Sequence, residues 1–342
     1  MSRERIISGE ITSPEEESFI LSLRPKELKN YIGQENLKEK LKVLIKAAKK
    51  RKEACEHILF YGPPGLGKTT LAHIIANEMG TRLVSTSGPS LSRTGDLMGI
   101  LTNLSDGDIL FIDEIHRLSP AIEEFIYPAM EDFKVDFVVD KGAFAKVINI
   151  PLKHYTLIGA TTRAGLLSPP LRDRFGLFYH IDFYPPEELK EIITRSARLL
   201  EVKITDEAAS EVSRRARGTP RVANRLLRRV RDFVTVKADG DIDISLAKKA
   251  LDTEGIDAIG LDSLDRKFLK VIIEYYRGGP VGIEAIGATL NEEIDTLVDM
   301  VEPYLLKIGF LQRTKRGRVV SQDACTHLGL SLDDPPQANL FE

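Results

Sequence analysis

Residues 62–70 read GPPGLGKTT, and this stretch decides the fold. The spacing is G-x-x-x-x-G-K-[ST], with Gly62, Gly67, Lys68 and Thr69 at the fixed positions of a phosphate-binding loop. Gly65 and Gly67 let backbone N–H groups face an anion with no Cβ in the way. A helix opening at this point adds the positive end of its dipole. Lys68 would reach the β- and γ-phosphates, and Thr69 would place a hydroxyl on Mg²⁺. The loop needs a buried strand before it and a helix after it. The flanks meet both conditions, with HILFYG at 57–62 and a helical stretch from Thr70 to Met79.

Working outward, two more short apolar runs end in polar or glycine-containing loops, DILFID at 108–113 and YTLIGA at 155–160. Continuous runs of this length fit strands buried on both faces of a parallel sheet, and their alternation with helices argues for an open α/β fold. Asp113 and Glu114 end the second run. Asp113 is a candidate Mg²⁺ ligand, and Glu114 a candidate base that orients and deprotonates an attacking water. His116, close behind, reads as a solvated loop histidine with no assigned role. An amphipathic helix is expected over Tyr31–Lys52, and a hairpin within 134–152 around Lys141-Gly142.

From Tyr184 the pattern turns helical. Pro185-Pro186 opens a helix, Thr205 caps another, and Gly218-Thr219-Pro220 breaks the chain before a helix over Arg221–Val236. The polar stretch TEGIDAIG (253–260) reads as a linker. Beyond it come helices at Leu264–Tyr275, Ile283–Leu290 and Glu292–Lys307. FLQRTKRGRVV (310–320) then forms two strands around a basic turn, the order of a winged helix-turn-helix. The expected division is a mobile arm at 1–18, a large α/β domain at 19–183, a small helical lid at 184–254, a winged helix at 255–331 and a flexible tail at 332–342.

Composition narrows the class. The chain has 342 residues, 42% of them hydrophobic and 29% charged, with a net charge of −3, so the total does not announce a nucleic-acid binder. A local patch does: there is no acid from Lys307 to Arg318, and Arg313, Lys315, Arg316 and Arg318 cluster at the turn. Such residues suit phosphate contacts, which position a duplex without reading its sequence. Cys55 and Cys325 lack metal-ligand spacing and are expected to be free thiols. The opening MSRERIISGEITSPEEE has no apolar core, and no run approaches the roughly 20 residues that span a bilayer, so a cytoplasmic protein is expected.

The remaining motifs carry a resemblance. GATTR (159–163), SPPLRDRFG (168–176) and GTPR (218–221) occupy the places of sensor 1, the arginine finger and sensor 2 in AAA+ ATPases. Within that class, FYGPPGLGKTTLA, LTNL, FIDEIHRLSP, YPAMEDF, GATTRAG, LRDRFG, GTPRVANRLLRRVRD and GFLQRTKRGR resemble segments of the RuvB family, the bacterial Holliday-junction branch-migration motors. The resemblance spans residues 20 to 320. It implies ATP and Mg²⁺ as cofactors, hydrolysis of ATP, and a hexameric ring around duplex DNA. It also implies a RuvA-like junction-binding partner docked on the hairpin through Val138, Phe144 and Val147, and a RuvC-like resolvase.

By the same resemblance Thr70 and Gly65 belong to the phosphate cradle, and Thr161 is the sensor of the γ-phosphate. Arg174 would enter a neighbour's site as the finger, with Arg172 as its rival. Arg221 would contact phosphate from the lid. Leu23, Arg24, Glu131, Asp132, Phe133 and Tyr184 are similar to nucleotide-pocket positions. Gln337–Phe341 resembles the Q-x-x-L-F peptides that bind sliding clamps. The rival readings are a clamp-loader subunit, which should end in a collar-forming helical domain, and a nucleotide-regulated DNA-binding protein.

Overall fold

The computed structural model describes residues 21–139, 146–238 and 241–331, with the side chains of 137–139 and 146–147 outside that description. The expected arm, the flexible tail with Gln337–Phe341, and the side chains of Val138, Phe144 and Val147 therefore lie outside the described residues. The chain forms two compact units, Arg24–Phe183 and a second that begins at Tyr184 and includes Leu23.

In the first unit, helix α1 (Glu35–Arg51) precedes strand β1 (Ile58–Tyr61), the phosphate loop and helix α2 (Lys68–Met79). Next come β2 (Leu83–Ser87), α3 (Thr94–Thr102), β3 (Ile109–Asp113) and α4 (Pro120–Glu131). The hairpin β4 (Lys134–Val139) and β5 (Lys146–Pro151) leads to β6 (Thr156–Thr161), α5 (Pro169–Asp173) and β7 (Leu177–His180). Five strands make one sheet in the order β2-β3-β6-β1-β7, all of its pairs parallel. The three apolar runs are its inner strands. The two outer strands escape the apolar-run criterion because they are edges. LVSTS of β2 is nowhere fully buried, and LFYH of β7 alternates between half-buried and exposed. The hairpin pairs antiparallel from Lys134↔Pro151 to Val139↔Lys146 and forms a separate two-stranded sheet.

The second unit opens with four helices, α6 (Pro186–Leu199), α7 (Asp206–Arg215), α8 (Pro220–Lys237) and α9 (Ile244–Thr253). Thr205 and Asp243 cap α7 and α9 by accepting backbone N–H bonds. Helices α10 (Ser263–Tyr276) and α11 (Ile283–Leu290) follow, then α12 (Ile294–Thr296), a π turn (Leu297–Val301) and α13 (Glu302–Lys307). The wing, β8 (Leu311–Thr314) and β9 (Gly317–Val320), and a last helix, α14 (Gln322–Leu328), complete a winged helix. Its core gathers Phe268, Leu269, Ile272, Ile286, Leu297, Val301, Leu305 and Leu311. Cys55 and Cys325 are both buried and free.

One expectation needs correction. The helix expected over Glu292–Lys307 is interrupted by the π turn, which ends where Pro303 follows Glu302. Proline has no N–H to continue the ladder, so the backbone widens by one residue before it. The stretch 253–260 connects α9 to α10 as expected of a linker, and it is held by its own contacts. Ile256 is 1% exposed, Gly260 N donates to Asp257 O, and Asp257 N donates to Leu261 O.

Candidate active site and nucleic-acid interface

The phosphate loop, Asp113 and Thr161 all lie at the carboxyl edge of the sheet, at the ends of β1, β3 and β6. Ligands of open α/β folds bind at that edge. Gly67 has φ 100°, a left-handed conformation, and a Cβ there would meet the Tyr31 hydroxyl at 3.0 Å. A Cβ on Gly62 would lie 2.2 Å from the Ile181 carbonyl oxygen. At these two positions the loop has no room for a side chain, and its backbone is left bare. Lys68 is buried, and its Nζ donates to Gly62 O at 2.7 Å and Pro63 O at 2.9 Å. It is thus held over the loop that would cradle phosphate. Gly65 has φ 81°, and Thr70 is half-buried on the first turn of α2.

Thr69 Oγ1 donates to Asp113 Oδ2 at 3.5 Å, and Asp113 Oδ1 accepts from Glu114 N at 2.9 Å. Among the described residues no group of three or more His, Cys, Asp or Glu gathers for a metal. The Thr69 hydroxyl and the Asp113 carboxylate stand side by side. These are hard oxygens that suit Mg²⁺ when it also binds a nucleotide's phosphates. Glu114 has φ 48°, an uncommon left-handed conformation for a non-glycine residue. A Cβ on Gly88 would stand 2.4 Å from the Glu114 carbonyl oxygen, so Gly88 lies directly against that peptide.

Thr161 is fully buried, and its hydroxyl already has two partners. It accepts from Arg163 N at 3.0 Å and shares a proton with His116 Nδ1 at 2.8 Å. His116 Nε2 lies 3.4 Å from a Glu114 carboxylate oxygen, and its side chain is 6% exposed. The histidine that reads as solvated in the sequence is thus a buried bridge between the candidate base and the candidate sensor. No local pattern points to it, because the bridge needs β3 and β6 side by side.

Arg174 lies elsewhere. It follows α5 and precedes β7, whose first residue, Leu177, donates to His57 O just before β1. That is the amino edge of the sheet. Four residues of β1 at about 3.3 Å each separate this edge from the phosphate loop by about 13 Å. Arg174 donates to Pro170 O at 2.7 Å and Glu131 Oε2 at 3.1 Å, and its guanidinium lies 4.3 Å from the centre of the Tyr127 ring. Arg172 is more exposed, with only a 3.9 Å approach to Asp173. Glu131, Asp132 and Phe133 follow Arg174 to this edge. Phe133 packs on His57, His154 and Tyr155, and its carbonyl accepts from Leu152 N. His57 is buried, accepting from Leu157 N at 2.9 Å and donating to Met130 O at 3.1 Å, and burial lowers its pKa.

Arg24 is half-buried in the first unit, and its charge adds to burial in lowering the pKa of His73. Leu23, Tyr184 and Arg221 belong to the second unit. Leu23 O accepts from Arg195 at 2.8 Å, and Tyr184 N donates to Gly218 O at 2.8 Å. Arg221 stands half-buried in the first turn of α8.

At the wing the four basic residues divide. Lys315 and Arg316 are exposed at the turn. Arg313 and Arg318 are held by one carboxylate, that of Glu302, which is 0% exposed: Arg313 Nε donates to Oε2 at 2.8 Å and Arg318 Nε to Oε1 at 2.7 Å. The exposed start of the third helix is acidic, with Glu292, Glu293 and Asp295, opposite in charge to the wing tip.

No helix among the described residues is long and apolar enough to cross a membrane. Three family models match the chain: the Holliday junction DNA helicase RuvB P-loop domain over residues 23–181, the RuvB AAA lid domain over 184–257, and the RuvB C-terminal winged helix domain over 258–329. Among solved structures, the chain is similar to Thermotoga maritima RuvB, described as a Holliday junction branch migration motor, with 53% identity and a TM-score of 0.83, covering 91% of this chain and 99% of that one. A lysine-to-arginine mutant of that protein matches at 52% identity and a TM-score of 0.85, over 92% of this chain and 99% of the other. A proline-to-glycine mutant matches at 53% and 0.84, over 91% and 100%. With sheet, lid and wing all matched in order, the chain belongs to the RuvB family of Holliday junction DNA helicases.

Proposed function

We propose that the chain is an ATP-driven motor that migrates Holliday junctions in recombination and repair, and that it works as a hexameric ring with shared active sites. The observation that carries the shared site is the opposition of the two sheet edges. The phosphate loop ends β1, while Arg174 stands before β7 at the other edge, about 13 Å away along the strand. A chain so built cannot bring Arg174 to its own terminal phosphate without unfolding the sheet. A head-to-tail neighbour can, and repeated contacts of that kind form a ring when their rotation closes. Glu131, Asp132 and Phe133 share the edge with Arg174, so their contribution to a pocket is also to a neighbour's.

In that site Lys68 and the loop backbone, with Thr70 and Gly65, bind the phosphates of ATP. Thr69 and Asp113 would hold Mg²⁺, which neutralises charge on the phosphate oxygens. Glu114 accepts a proton from water while the water oxygen bonds to the γ-phosphorus. The bond to the β–γ bridging oxygen breaks, leaving ADP and phosphate. Thr161 and His116 hold Glu114 in register with the end of β6. Arg221 contacts phosphate from the lid, and Leu23, Arg24 and Tyr184 are further nucleotide-pocket residues. Lys315 and Arg316 grip the DNA backbone, with Arg313 and Arg318 behind them.

A RuvA-like protein docked on the hairpin within 134–152 would hold the four-way junction, and a RuvC-like resolvase would act on the product. The cytoplasm is the compartment where this chemistry belongs. The test is migration of a synthetic four-way junction, with and without a RuvA-like protein. Migration should require ATP and be abolished by Lys68→Ala. A chain that hydrolyses ATP but moves no junction in either condition refutes the reading. A clamp-loader role is disfavoured by the winged helix that stands where a helical collar would be needed.

A further inference from the structure

The turn that delivers Arg221 is fastened to the winged helix through a neighbouring arginine. Arg217 has φ 59° and Gly218 φ 74°, so two successive left-handed residues shape the backbone just before Thr219-Pro220-Arg221. The Arg217 side chain does not reach solvent. It is 4% exposed, and its Nη1 donates to Asp265 Oδ2 at 2.8 Å. Its guanidinium lies 4.6 Å from the centre of the Tyr304 ring, with Nη2 3.4 Å from Met300 O. Asp265, on α10, is 0% exposed, and the same oxygen accepts from Asp262 N at 3.0 Å. Tyr304, on α13, donates to Ile259 O at 2.6 Å. Burial pushes its phenol pKa up to about 12, so it stays a donor.

The stretch between the helical module and the winged helix is fastened as well. Arg215 donates to Ile256 O at 2.8 Å and to Asp252 at 2.6 Å. A Cβ on Gly260 would lie 2.5 Å from Arg215 O. A buried ion pair is weak evidence for stability, since apolar residues of the same volume often serve as well. Its better-attested use is to fix one arrangement of two parts against alternatives.

We propose that Arg217, with Asp265 and Tyr304, is a positioning element that makes the lid and the winged helix move as one body. Displacement of the turn carrying Arg221 then becomes displacement of the DNA-gripping wing. Arg217 touches neither nucleotide nor DNA. It acts on the yield of motion per ATP and not on the chemistry. This inference rests on the reading of Arg221 as a phosphate contact.

The test uses the full chain carrying Arg217→Ala with Asp265→Ala, which removes both charges together and leaves no unpaired buried carboxylate. ATP turnover, KM for ATP, duplex affinity and base pairs migrated per ATP are measured on the same preparation. The expected result is turnover, KM and affinity near wild type, with base pairs migrated per ATP lowered at least about threefold, within the range by which residues between coupled sites alter coupling. A spin-label distance between α8 and α10 should broaden in the variant and stay narrow in the wild type. Arg217→Lys, which keeps the charge, should recover part of the yield. Tyr304→Phe, a milder change, should lower it in the same sense and serves if the double variant does not fold. Wild-type yield with an unchanged distance overturns the proposal, as does a loss confined to KM. Arg221→Ala separates the two ideas. Unaltered ATP turnover in that variant removes the reading of Arg221 and leaves the fastening of lid to wing to be judged by the distance alone.

Discussion

Replacing Arg174 by alanine tests whether the active site is shared. In the folded chain Arg174 makes one ion pair with a half-exposed Glu131, donates one hydrogen bond to Pro170 O and lies against the face of Tyr127. Contacts of these kinds contribute about 1–3 kcal/mol together, so the variant should fold. As a finger, the same side chain contributes about 10³–10⁵ in rate, or about 4–7 kcal/mol of barrier. The two scales are well separated, so a collapse of turnover in a folded chain reports chemistry and not stability. Mixing makes the test sharper. Arg174→Ala keeps an intact phosphate loop but gives its neighbour no finger. Lys68→Ala gives a finger but has no working loop. In rings assembled from equal amounts, about one site in four pairs an intact loop with an intact finger, because head-to-tail neighbours mix at random. ATPase of the mixture should rise toward about a quarter of wild type while each parent stays near background. Two results refute the reasoning: a mixture that stays at the level of its parents, or an Arg174→Ala protein that turns over at the wild-type rate.

Lys315→Ala with Arg316→Ala should weaken binding to all duplex sequences alike and flatten log K against log salt by about 2 × 0.9; fluorescence anisotropy across a salt series measures it. Arg318→Ala should behave differently, because it leaves one oxygen of the fully buried Glu302 without its partner, at a cost of about 1–3 kcal/mol. Its signature is a lower Tm of the winged helix in calorimetry in addition to weaker binding. His116→Ala should lower kcat about two- to tenfold with KM for ATP unchanged, the worth of one neutral hydrogen bond of about 0.5–1.5 kcal/mol in the barrier; a change in KM alone would place His116 in binding. Burial lowers the pKa of His57 in the folded chain, so the unfolded chain binds more protons just below the ordinary histidine value of about 6.5. Stability from this group is therefore present above pH 6.5 and lost as pH falls through the window beneath it, by at most about 1.4 kcal/mol per pH unit. Denaturant midpoints of wild type and His57→Gln from pH 7.5 to 5.5 should converge toward the acid end; parallel curves would assign the effect to another group.

Much of the site was legible because its residues are neighbours in sequence. The loop at 62–70 and the Asp113-Glu114 pair announce themselves by local spacing, and the inner strands by unbroken apolar runs. The outer strands did not, since an edge strand such as LVSTS need not be apolar on both faces. What stayed hidden is whatever depends on distant partners. Glu302 reads as one more acid on a charged helix until the wing folds over it. Asp265 and Arg217 are 48 residues apart, and each alone looks like a surface charge. His116 needs β6 beside β3. The four cations of the wing are visible in the sequence, but not that two of them share the Glu302 carboxylate.

The contact between Gly88 and the Glu114 peptide reaches beyond the motifs. Any side chain at position 88 must push on the left-handed backbone of Glu114, the proposed proton acceptor. A saturation screen for loss of motor activity should therefore flag this glycine alongside the signature residues, although it belongs to no signature and faces no ligand. The spared substitutions there should be few, and their severity should rise with volume from alanine upward.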